Sequence, residues 1–170
     1  MKILSLNKQV NTEKSSRLLN YSLSLIRYGK SCREEKEQKE WYISAEIKLN
    51  NIVKSYSNSS ILSDLEMLSL IALTYVKLKL NHFEEAKINL RQLDTLILRC
   101  EEQHMTVLPE ILKQFKYYFD AKKSILELAQ INNPDLLSQN FSSSVSEISY
   151  GSQVESYFGI SELADELGIK

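Results

Sequence analysis

Cys100 and His104 stand four residues apart, the spacing at which two side chains on one helix face can reach a common ion. A zinc site takes three or four protein ligands. The chain has two cysteines and two histidines in all, and Cys32 and His82 lie far off in sequence. No metal is therefore expected. Cys100 reads as a core residue, and His104 as a positive group near a helix C-terminus, where the helix dipole favours it. Covalent catalysis needs a nucleophile, a base and an orienting group in one cleft, and no local motif assembles them. Four scattered glycines form no phosphate-binding loop. The acidic run Glu34–Glu40 reads as a solvated helix face, with Glu35–Lys39 and Lys36–Glu40 as pairs one turn apart. The expectation is a protein without cofactor, metal or catalytic residues, and not an enzyme.

Charge is arranged along the chain. Residues 1–33 carry seven Lys/Arg against Glu13 alone, whereas residues 134–170 carry six acids against Lys170 alone, within a net charge of −1. Ends of opposite sign attract each other or recruit different partners; the plainer reading is solubility. Arg17, Arg27, Lys30 and Arg33 interleave with Tyr21 and Tyr28, as a phosphate- and base-binding face would. These residues share one side only in part and the domain is not basic overall, so nucleic acid is the weaker expectation for a partner.

These residues must be carried by helices. Hydrophobic residues make up 43% of the chain, enough for a core, and only four Gly and two Pro interrupt it. Two cysteines form no disulfide framework, which points to a reducing compartment. The start of the chain lacks the apolar run of a signal peptide. The most apolar stretch, Leu65 to Leu80, is broken by Glu66, Lys77 and Lys79 and is too short to cross a bilayer. A cytoplasmic or nuclear location, with no membrane partner, is expected.

Periodicity predicts five helices, over 12–29, 32–56, 64–80, 82–103 and 108–130. Ser31 with Glu34, and Ser63 with Glu66, have capping-box spacing. In the second helix Trp41, Ala45, Leu49, Ile52, Val53 and Tyr56 form one face. The third is apolar on most sides, as suits the middle of a stack. In the fifth, Pro109 fits the first turn, and Ile111, Phe115, Tyr118, Ile125 and Ala129 form one face. Residues 1–11 read as an N-terminal extension, 12–137 as the helical domain, and 138–170 as a Ser-rich linker with an acidic tail. Ser161 to Gly168 would form a short helix there, too short to stand without a surface to dock on.

The strongest internal signal is a self-match. Tyr42, Ala45, Ile47, Leu49 and Ile52 recur 41 positions later as Phe83, Ala86, Ile88, Leu90 and Leu93. A small residue followed by large ones four and seven positions on lets two helices approach and fill the gap beyond, and repeats of this length mark stacked helical hairpins. Asn81-His82-Phe83-Glu84-Glu85-Ala86, followed by Leu90 and Leu93, resembles the turn and second helix of a tetratricopeptide repeat. The resemblance covers 64–97 and, more weakly, 32–56. It implies antiparallel helical hairpins, with an irregular helical bundle as the alternative. It also implies that the first helix of each pair lines an inner surface receiving a peptide or helix of another protein, here at Ile71, Tyr75 and Lys79. Tyr157, Phe158, Leu163 and Leu167, set among acids, form a second candidate docking segment, for a partner or for the domain itself. The resulting expectation is a scaffold or adaptor subunit. The alternatives are a small client-holding chaperone and a nucleic-acid-associated factor using the basic first helix. The apolar surplus of the third helix also allows self-association.

Overall fold

The computed structural model describes residues 2–56 and 62–132, with side chains from 12–56, 62–106 and 109–131. Tyr157, Phe158, Leu163 and Leu167 lie outside the described residues. Five helices, α1 (Lys2–Ser31), α2 (Glu35–Tyr56), α3 (Asp64–Lys79), α4 (Phe83–Glu102) and α5 (Val107–Asn132), make an all-α fold, and no strand occurs among the described residues. Each helix packs on the next, and α1 also packs on α3 and α3 on α5. The odd-numbered helices thus share one side of the molecule. Short connections turn neighbours back on each other.

The order of contact explains α3. It touches all four other helices, and every residue from Met67 to Leu78 except Leu68 is buried. Two polar pairs inside the core fix it to α4. The Lys77 Nζ donates to Asn89 Oδ1 at 3.2 Å, and Arg99 meets Glu66 at 3.5 Å. Buried polar groups cost stability unless paired, so these contacts set the register of α4 on α3.

The 41-residue echo is also an echo of burial. Tyr42, Ala45, Leu49 and Ile52 on α2 are enclosed, as are Phe83, Ala86, Leu90 and Leu93 on α4. Ile47 and Ile88, the matched pair pointing away, are 57% and 55% exposed. Alanine at the matched position, without exposed area in either helix, is what lets each lie close on its neighbour.

The ends of α3 and α4 follow one rule. Asn81 (φ 60°) and His104 (φ 57°) both take the left-handed conformation one residue beyond the last capping position. The next amide then bonds back to the helix: His82 N–H to Lys77 C=O at 2.8 Å, and Met105 N–H to Cys100 C=O at 3.0 Å. This closes the otherwise unpaired carbonyls. Asn and His tolerate that region better than other non-glycine residues.

Several boundaries differ from the sequence reading. Helix α1 starts at Lys2 instead of residue 12, since nothing among the first eleven residues breaks a helix. Ser31 caps nothing: it ends α1, its Oγ donates to the Tyr28 carbonyl at 2.9 Å, and α2 begins at Glu35. Ser63 occupies the N-cap position of α3 but makes no side-chain cap bond, and Glu66 turns inward to Arg99 instead of back to the cap. Gly29 lies within α1. A Cβ there would sit 2.9 Å from the Tyr42 ring, so the missing side chain is what brings α1 onto α2. The Glu35–Lys39 pair forms as expected, at 2.7 Å. In α5 Ile111, Phe115 and Tyr118 are buried, but Ile125 is exposed. With 26 residues α5 is longer than α3 (16) and α4 (20), and its far half has less to lie on.

Candidate functional site

On the side shared by α1, α3 and α5, each helix supplies a lysine. Lys30 lies in the last turn of α1, Lys79 ends α3 and Lys122 lies in the second half of α5. The Lys79 Nζ lies 5.5 Å from the centre of the Tyr75 ring, and the Lys122 Nζ lies 5.8 Å from that of Tyr118. A cation over an aromatic face is held by the ring quadrupole. Behind them the hydroxyls of Tyr42 and Tyr75 hydrogen-bond to each other, joining α2 to α3.

The electrostatics of this cluster run against stability. Lys122 is 6% exposed and its pKa is lowered by burial. Burial, and then the like charges of Lys30 and Lys122, push Lys79 down to about 7. Burial raises Tyr42 to about 12 and pushes Tyr118 up; burial first, then neighbouring Tyr42 and Tyr118, raises Tyr75. The tyrosines therefore stay protonated at neutral pH. Lys79 and Lys122 thus each rest over a neutral aromatic ring in surroundings that disfavour their charge.

The outward face of α5 is apolar and open. Ile125 follows Lys122 by one turn and Leu128 follows Ile125 by another. Tyr117, Leu128 and Ile131 are among the most exposed large apolar side chains described.

Of the residues expected to line the inner surface, Lys79 is partly exposed. Ile71 and Tyr75 are enclosed, because α3 is covered by every other helix; they support the site from the core and offer no side-chain surface to a partner. Lys30, Lys122 and Tyr118 were not singled out for this face by sequence. They lie far apart in the chain, and only the odd-helix packing brings them together.

The remaining chemistry-bearing residues are accounted for by the fold. Cys100 is fully buried and its thiol pKa is raised mainly by burial. His104 is exposed beyond the end of α4, in the left-handed turn position. His82 Nδ1 meets Glu46 Oε1 at 3.2 Å, linking the start of α4 to α2. No group of three His, Cys, Asp or Glu is placed to hold a metal among the described residues. In the basic patch of α1, Arg17 pairs with Glu13, the Tyr28 ring packs 5.5 Å from Trp41, and Lys48 lies over the Tyr21 ring at 5.2 Å. Both tyrosines are thus engaged with α2. No described helix is long and apolar enough to cross a membrane.

Comparison with known protein families, with curated proteins and with solved structures finds no match.

Proposed function

We propose that this chain is a non-catalytic protein-binding module, a scaffold or adaptor subunit built as a tetratricopeptide-like stack, working in the cytoplasm or nucleus. It receives a peptide or helix of another protein on the side shared by α1, α3 and α5. The observation that carries this reading is the placing of Lys79 over Tyr75 and of Lys122 over Tyr118, two lysines whose charge burial disfavours, on the side shared by α1, α3 and α5. The matched burial on α2 and α4 supports the stacked-hairpin part of the reading.

The test is capture from native extract with the full chain and with Lys79→Glu. A partner held in one-to-one ratio by the wild type and lost from the variant is expected. A transient, substoichiometric catch would favour a client-holding chaperone. Salt-dependent retention of nucleic acid, unaffected by Lys79→Glu, would sink the reading.

A further inference from the structure

We propose that a second copy of this chain docks on the outward face of α5, the two α5 helices lying antiparallel about a two-fold axis. The inference goes beyond the proposed function and does not depend on it. An α-helix turns by about 100° per residue. Tyr117, Ala121, Ser124, Leu128 and Ile131 therefore share one sector of α5, opposite the buried Phe115, Phe119, Lys122 and Leu126. Tyr117 is 78% exposed, Leu128 60% and Ile131 79%, and the exposed Ile125 borders them. An open apolar patch of this extent on one helix marks a site of contact.

Three properties of the face select a second copy as its occupant. The first is the order of sizes. A two-fold axis presents the same patch on both partners, so the patch must fit its own reverse. Tyr117, Ala121, Ser124 and Leu128 run large, small, small, large, at spacings of four, three and four, and read alike in either direction. In an antiparallel pair Ala121 meets Ser124 of the second copy, where two small residues let the helices approach closely. Tyr117 meets Leu128 of the second copy on either side and fills the space beyond.

The second is charge. Along the edge of the stripe nearest α4, Lys116, Asp120, Lys123 and Glu127 alternate in sign, and Lys116 reaches Asp94 of α4 at 3.5 Å. The same two-fold axis sets Lys116 beside Glu127 of the second copy, and Asp120 beside its Lys123. Within one copy Lys116 pairs with Asp120 at 3.2 Å and Lys123 with Glu127 at 3.0 Å, so the edge is balanced and favours neither an acidic nor a basic partner. The third is area. The exposed part of Tyr117 offers on the order of 150–200 Å². With Ile125, Leu128, Ile131 and the polar edge, each copy contributes about 600 Å², and the pair about 1,200 Å², which is the lower end of a specific interface. A reversible dimer with a dissociation constant on the order of 10 µM is expected of such an area.

Analytical ultracentrifugation of the full chain, from about 1 to about 300 µM, tests the proposal; monomer is expected at the low end and dimer at the high end. Ser124→Arg, at an exposed position beside the axis, and Leu128→Glu should each keep the helical circular dichroism of the wild type. Each enters the interface twice and should weaken association by about thirtyfold or more. Lys79→Glu should leave association unchanged. A dimer indifferent to both α5 variants, or abolished by Lys79→Glu, would overturn the proposal. So would a chain still monomeric at about 300 µM. Nitration of Tyr117 in such a monomer would then name the true occupant: a shielded ring means another segment of the chain, a reactive one a foreign protein, and either contradicts a second copy. Failure here leaves the proposed function standing, since that is decided by partner capture with Lys79→Glu.

Discussion

The seam of α2 and α4 and the shared side of α1, α3 and α5 are built to opposite rules. Along the seam, Ala45, Leu49 and Ile52 repeat in type and in burial as Ala86, Leu90 and Leu93, and every position is apolar. On the odd-helix side, Lys79 and Lys122 lie where burial disfavours their charge, and Lys30 adds like charge to Lys79. One region is spent on stability. The other holds half-buried or buried lysines over aromatic rings.

Substitutions should separate the two. Leu49→Ala and Leu90→Ala should each cost about 2–5 kcal/mol, with similar values at the two matched positions. Ile47→Ala and Ile88→Ala should stay within about 0.5 kcal/mol, since both side chains face outward. Denaturant unfolding measures all four. Unequal losses at Leu49 and Leu90 would break the equivalence of α2 and α4.

A smaller effect is expected at Gly29. Gly29→Ala places a methyl group against the Tyr42 ring and should destabilise by about 1–3 kcal/mol, although alanine is ordinarily the better helix former. A gain in melting temperature would show that α1 and α2 do not meet as closely as described.

On the odd-helix side the sign reverses. Lys79→Met should stabilise the fold while weakening partner capture. Lys79 has its folded pKa depressed to about 7 from an ordinary 10.5. Between those values the unfolded chain holds the proton and the folded chain does not, so wild-type stability rises with pH across that window. The advantage of Lys79→Met should therefore be largest below about pH 7 and fade towards pH 10.5. Chemical denaturation at pH 6 and pH 9 reads it directly, and a destabilised variant at pH 6 would contradict the account. His104→Gly should stabilise by up to about 1 kcal/mol, by relieving a non-glycine residue at φ 57°.

Much of the seam was legible in the sequence, because alanine followed by large residues at helical spacing is a local pattern. The five helices were legible for the same reason, with glycine and proline scarce. The capping boxes misled, because Glu66 finds Arg99 across the α3–α4 contact and Ser31 sits a turn too early. Ile71 and Tyr75 were misplaced because a helix apolar on nearly every side does not announce which side stays open. The lysine cluster was not legible at all. Lys30, Lys79 and Lys122 have no common spacing, and their meeting depends on α1 and α5 both lying against α3.

The most direct test of the central claim is cross-linking of the captured complex with a short lysine-reactive reagent, followed by mass spectrometry. Cross-links to the partner from Lys30 and Lys79 are predicted, with Lys36, Lys48 and Lys87 on α2 and α4 silent. Cross-links confined to those even-helix lysines would contradict the account and move the binding surface to the opposite side of the molecule.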